Sequence, residues 1–348
     1  MASTLTGSQA TGRPATWLAD HPILGSAVVA VLAGAALQLT HVIGLQERLA
    51  ARIGWGVTVL WLDFGFRTLL GALVLLAVVP WLFGYSRSRP WFGAYLRRVR
   101  FSVGFSPGLT IGASAASVAI MATLIVGAGL LFGVPLEDLP SALASPGWFI
   151  LVLALVPGLW EELAFRGLIL STLQDRYRPW IAILITSLLF GLFHVSNLLL
   201  RGPDQVIMEM IMAGVVSLAW GYAVIKTGSL IPAIVSHYCI NVFIWLLPAD
   251  LSEAASAGVF GGLTIAYPIL TVIAVWWLDH VHRSGDRASP SAPPSCALKP
   301  GDIPLTARAE LTKPPAQASA HQHAATSAFP VLADEGVSRL ACSRGLWL

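Results

Sequence analysis

Seven residues on three apolar stretches have the types and spacing needed to hydrolyse an amide bond. Glu161 and Glu162 are followed by Arg166, Phe190 is followed four positions on by His194, and His237 precedes Asn241 by four. A carboxylate can take a proton from water, an imidazole can take or return one near neutral pH, and a side-chain amide can donate to a developing oxyanion. On a helix, Glu162 and Arg166 stack on one face as an ion pair, which reads as structural support. Glu161 projects about 100° away from that face, free to look toward neighbouring helices. His237 and Asn241 share a face, and Phe190 lies one turn before His194, where it can fix the ring. A water held between Glu161, His194 and His237, with Asn241 on its far side, would meet a base and an oxyanion donor together.

Two mechanisms use these parts. In one, Glu161, His194 and His237 bind Zn²⁺ with an open position, and the metal acidifies a bound water. In the other, Glu161 and His194 activate water directly while His237 and Asn241 steady the oxyanion. The spacing HExxH does not occur in the chain, so the usual zinc-protease signature gives no support. The residues leave metal dependence open.

The elements that position these groups are read as membrane helices. Of 348 residues, 56% are hydrophobic and only 11% charged, with a mean hydropathy of +0.73. Soluble chains carry roughly a quarter charged residues, so a water-exposed globule and a disordered chain are both excluded. Cys239, Cys296 and Cys342 stand far apart, which supports neither a disulfide framework nor a thiolate metal site. A spanning helix needs about 20 mostly apolar residues. Eight stretches qualify: Ile23–Leu45, Trp55–Phe83, Ile111–Val134, Trp148–Leu173, Trp180–Leu200, Val206–Ile225, Leu230–Leu247 and Val259–Leu278. The second is too long for one straight span and carries Asp63 and Arg67, spaced to pair with each other. The expected fold is therefore all-α, a polytopic membrane helix bundle of about eight transmembrane helices. Residues 1–22 form an N-terminal segment, 23–278 the bundle with a core at 148–247, and 279–348 a disordered tail rich in Pro, Ser and Ala.

Charge orients the bundle. With the N-terminus inside, the inner segments hold Arg13, Arg87, Arg89, Arg97, Arg98, Arg100, Arg176, Arg178, Lys226, Arg283 and Arg287, and the outer loops only Arg48, Arg52 and Arg201. Both termini are expected in the cytoplasm. The net charge of +3 comes from these clusters and points to the bilayer as partner rather than to nucleic acid. Arginine far outnumbers lysine (Lys226, Lys299 and Lys313), which fits a GC-rich bacterial genome and a plasma-membrane location.

Depth tests whether the polar groups can meet. Helical rise puts Glu161 about 18 Å above Leu173, His194 about 21 Å above Trp180, and His237 and Asn241 about 10 and 16 Å above Leu230. All fall in the middle of a core about 30 Å thick. Charged and polar groups at such depth are costly and mark function. Glu209 lies near an outer boundary and reads as a snorkelling or loop residue.

In this order, each on its own span, the motifs Glu-Glu-x-x-x-Arg, Phe-x-x-x-His and His-x-x-x-Asn resemble the CPBP family. The family is named for CaaX proteases and bacteriocin-processing enzymes, is also called ABI, and includes the type II CaaX prenyl endopeptidases. The resemblance covers roughly Trp148 to Leu247, and every motif position matches. It implies Glu161, His194, His237 and Asn241 as the catalytic set in an eight-helix architecture. Members have been described as metalloproteases and also as metal-free glutamate enzymes.

The function expected is an intramembrane endopeptidase, cutting a membrane-associated or prenylated-type protein within or near the inner leaflet. Two rivals use the same residues. A proton-coupled transporter could run a relay through Glu161, His194 and His237, although no internal repeat is evident in the chain. A membrane scaffold or bacteriocin-immunity protein would keep the site and need no turnover.

Overall fold

The computed structural model describes residues 17–54, 57–87, 90–132, 148–199, 201–246 and 253–288. Among these residues the regular secondary structure is all helical, with no strand. In chain order the α-helices are α1 (Trp17–Asp20), α2 (Pro22–Val42), α3 (Leu45–Ile53), α4 (Val57–Leu73), α5 (Val79–Leu82), α6 (Trp91–Arg98), α7 (Pro107–Phe132) and α8 (Trp148–Leu153). They continue with α9 (Leu155–Glu162), α10 (Leu170–Gln174), α11 (Pro179–Phe193), α12 (Pro203–Thr227), α13 (Ile231–Leu246), α14 (Glu253–Gly261) and α15 (Tyr267–Ala288). Six helical segments are long and apolar enough to cross a membrane, and Ile231–Ile244 is a shorter apolar helix. The chain is an all-α, multi-pass membrane bundle. Its large apolar side chains are exposed along α2, α4, α7, α11 and α15, as at Val31, Leu69, Ile111, Leu188 and Ile273. In lipid that is the stable arrangement, because a helix satisfies its own backbone and leaves side chains for acyl tails.

Three junctions are wider than an α-turn. The π-helical turns Val74–Val78, Leu163–Ile169 and Gly262–Ala266 join α4 to α5, α9 to α10, and α14 to α15. Two of them end two residues before Pro80 and Pro268. A proline has no N–H to close an i→i−4 bond, and a π-turn is a way to absorb the mismatch. The stretch from Trp55 contains one such turn, at Val74–Val78, where α4 passes into α5.

The run Trp148–Leu173, expected as one helix, is instead broken at Ala154 and widened at Leu163–Ile169. Pro157 accounts for the first break, since its ring crowds the carbonyl four residues earlier, at Leu153. At the far end, α15 runs to Ala288 rather than stopping at Leu278. Lys226 Nζ holds Asp279 at 3.0 Å and Arg283 Nε holds it at 2.8 Å, so the bundle extends past the expected start of the tail. The disorder expected of 289–348, and the residues before Trp17, lie outside the described residues.

Close approaches fix the helices that matter. A Cβ on Gly191 of α11 would stand 2.7 Å from the Met210 carbonyl oxygen of α12. One on Gly158 of α9 would stand 3.2 Å from the Tyr238 nitrogen of α13. Small residues at such crossings let backbones meet inside a membrane. The expected pair Asp63–Arg67 forms, with Oδ2 and Nε 2.8 Å apart, and Gln46 Nε2 donates to the same oxygen at 2.8 Å.

Candidate active site

The α9–α13 crossing brings Glu161 and Glu162, the last residues of α9, against His237. His237 Nδ1 donates to Glu162 Oε1 at 2.8 Å, and Arg166 Nη1 donates to the same oxygen at 2.8 Å. The other imidazole nitrogen, Nε2, lies 3.9 Å from Glu161 Oε2, close enough for electrostatic contact and too far for a hydrogen bond. Consecutive carboxylates on one helix therefore flank the two nitrogens of one ring. The sequence assigned Glu162 to Arg166 alone, and the structure gives it a second partner on another helix.

Arg166 is fully buried, as is Glu162. Its guanidinium carbon sits 4.2 Å from the Phe190 ring centroid and 5.0 Å from that of Trp220. An arginine in this setting needs both its carboxylate and its aromatic faces, because a buried cation without partners is strongly unfavourable. Trp220 also stacks on His237, with centroids 4.7 Å apart and planes 22° from parallel. Its Nε1 donates to Tyr267 Oη at 3.1 Å, and that hydroxyl joins Ser117 Oγ at 2.5 Å, which in turn meets Ser236 Oγ at 2.6 Å. Tryptophan and serine inside a span give no charge signal, which is why the sequence did not single out Trp220, Tyr267, Ser117 or Ser236.

His194 follows α11 and its Nδ1 donates to the Phe190 carbonyl at 2.9 Å. That carbonyl belongs to the last turn of α11, where the helix leaves acceptors free. The bond places the proton on Nδ1 and leaves Nε2 as the working nitrogen. The Phe190 ring meets both imidazoles edge-on, at 5.0 Å from His194 and 5.9 Å from His237. Phe190 is thus the hub of the site, touching both histidines and covering Arg166.

A cavity of about 690 Å³ is lined by His194, His237, Asn241, Phe190, Trp220 and Glu209 among others. Asn241 and both histidines of the expected catalytic set therefore face one space. Glu161 stands behind His237, buried, and its Oε2 has no hydrogen-bond partner among the described residues. Glu209, expected as a boundary residue, faces the same cavity. Its Oε2 accepts from Asn197 Nδ2 at 2.9 Å and lies 3.3 Å from Arg201 Nη1, and Asn197 Oδ1 accepts from Gln38 Nε2 at 3.0 Å. Asn197 lies three residues after His194, a spacing that could have drawn attention to it.

The Zn²⁺ set does not assemble. Among the described residues no three His, Cys, Asp or Glu side chains stand close enough together to hold a metal ion. His237 has one nitrogen committed to Glu162, and Glu161, His194 and His237 do not converge as ligands.

No curated protein and no solved structure matches the chain. The family model described as type II CAAX prenyl endopeptidase Rce1-like matches residues 143–243, the stretch that carries all three motifs. Over that stretch the chain is similar to the type II CaaX prenyl endopeptidases, which supports the CaaX-protease (CPBP) resemblance carried by the three motifs.

Proposed function

We propose that the chain is an intramembrane endopeptidase that hydrolyses a peptide bond of a membrane-associated polypeptide with water activated by Glu161. The observation that carries this reading is Glu161 Oε2, a buried carboxylate oxygen without a hydrogen-bond partner among the described residues, 3.9 Å from an imidazole that faces the cavity. A buried acceptor in that condition is costly to keep and is suited to taking a proton.

In the reaction, a water admitted between His237 Nε2 and Glu161 Oε2 at the cavity wall attacks the scissile carbonyl carbon and gives its proton to Glu161. His194, with Nδ1 fixed by the Phe190 carbonyl, presents Nε2 to the cavity that holds the substrate. The carbonyl electrons move onto oxygen, where Asn241 donates a hydrogen bond. Glu161 then returns the proton to the amide nitrogen, the oxyanion re-forms the carbonyl as the C–N bond breaks, and a carboxylic acid and an amine leave. Glu162 holds the Nδ1 side of His237, so that Nε2 remains turned toward Glu161 and the cavity.

Mass spectrometry of membrane peptides from cells carrying wild-type protein or Glu161→Gln tests the assignment. Base removal should cost about 10²–10⁴ in rate, and His194→Ala a similar factor. Cleavage products that persist in both variants, with normal membrane insertion, would overturn the reading.

A further inference from the structure

His237 is held at one nitrogen and on one face. Its Nδ1 donates to Glu162 Oε1 at 2.8 Å, and Trp220 of α12 stacks on the ring with planes 22° from parallel. The last torsion of a histidine is soft, so a bond at one nitrogen leaves the plane of the ring to be set by what lies on its face. The direction of Nε2, 3.9 Å from Glu161 Oε2, therefore depends on where the indole lies.

The indole is itself tied down. Its Nε1 donates to Tyr267 Oη at 3.1 Å, Tyr267 Oη lies 2.5 Å from Ser117 Oγ, and Ser117 Oγ lies 2.6 Å from Ser236 Oγ. Ser236 Oγ donates to the Pro232 carbonyl at 2.5 Å. Chemistry at the two ends orders the chain, because an indole N–H only donates, a carbonyl only accepts, and each hydroxyl between them has a single hydrogen. Ser236 spends its hydrogen on Pro232, so Ser117 donates to Ser236 and Tyr267 donates to Ser117. The Tyr267 oxygen is left to accept from Trp220, which it does.

This series crosses α12, α15, α7 and α13 and returns to the residue before His237. Trp220, Tyr267, Ser117 and Ser236 are all buried, where hydrogen bonds in series reinforce one another. Tyr267 opens α15 directly after the π-turn Gly262–Ala266, the kind of widened turn that is frequent at functional sites.

We propose that Tyr267 and Trp220 are positioning residues for His237: the tyrosine hydroxyl fixes the indole, and the indole fixes the imidazole plane so that Nε2 is aimed at Glu161. The effect on rate rests on the hydrolytic reading above, and the placement of the ring does not. A series that merely tied the bundle together would change the melting temperature and leave the ring where it is.

Proton–carbon NMR of the full chain in detergent, with labelled histidine, tests the placement, the His237 signal being assigned by its loss in His237→Gln. Protons stacked over an indole face are shifted upfield, and Tyr267→Phe should move those of His237 downfield. On a synthetic peptide spanning a site whose cleavage depends on Glu161, Tyr267→Phe should lower kcat about ten- to a hundredfold and change KM less than about twofold, the scale of a reacting group displaced by up to about 1 Å. Trp220→Phe keeps a ring beside His237 without the N–H, so Tyr267→Phe added to it should cost little further. Ser117→Ala breaks the same series one bond on with every ring retained, and it carries the test, with a smaller shift and loss, where Tyr267→Phe does not fold. A His237 signal unmoved by these variants, an unchanged kcat, or losses that simply add in the double variant would overturn the proposal. A Glu161→Gln protein that still cleaves removes the hydrolytic reading, and the NMR shift then decides the ring placement alone.

Discussion

His237 shows how much one side chain depends on two others. Glu162 accepts from both His237 and Arg166 through a single oxygen, so its charge serves the site and the bundle together. Replacing it by glutamine leaves a fully buried guanidinium without a counter-charge, a change that costs about 3–5 kcal/mol. Glu162→Gln should therefore lower the melting temperature in detergent and reduce the yield of folded protein. Glu161→Gln should melt like the wild type and lose cleavage, because no hydrogen bond to its Oε2 is lost. Equal melting of the two variants would contradict this division. The residues that carry chemistry were legible from type, since carboxylates and imidazoles are rare in apolar runs. Which carboxylate grips His237 was not. The four-residue rule speaks only of neighbours on the same helix, whereas the partner across helices depends on how α9 rolls against α13 at Gly158 and Tyr238.

Helices in this bundle were easiest to read where they were least involved in chemistry. Hydropathy located the six spanning segments, but the elements that present the acids and His237 are the fragmented α8–α10 and the short α13, which fall outside those six. Polar cargo lowers hydropathy, and Pro157 breaks the regular turn, so function and a weak helical signal coincide here. Pro157 stood in the sequence as a visible sign of that break, whereas the π-turn at Leu163–Ile169 has no proline to announce it. It surrounds Arg166, and widened turns of this kind are frequent at functional sites. The α11–α12 crossing is the more exacting contact, since Gly191 faces backbone rather than a side chain that could swing away. Gly191→Ala should force the helices apart, cost about 1–3 kcal/mol, and displace His194 from the α12 wall. Thermal melts and cleavage assays check both effects, and a variant with unchanged stability and rate would show that the crossing has slack.

At the scale of the whole molecule, composition alone decided that the chain belongs in a membrane, and the charge of its loops suggested which way it lies. The end of the bundle was harder to place, because residues 279–288 are polar and yet continue α15. A chain ending at Ala288 should therefore insert, melt and cleave like the full protein. One ending at Leu278 loses the Asp279 carboxylate that holds Lys226 and should be less stable. Limited proteolysis and melting of the two truncations separate these outcomes. A cavity lined by Arg201, Asp204 and Glu209 imposes its own traffic: a charged fragment that leaves along them meets side chains able to pair with it. If the chain cleaves as proposed, egress of such fragments should be slower than bond scission, and rapid mixing should reveal a first turnover faster than all those after it.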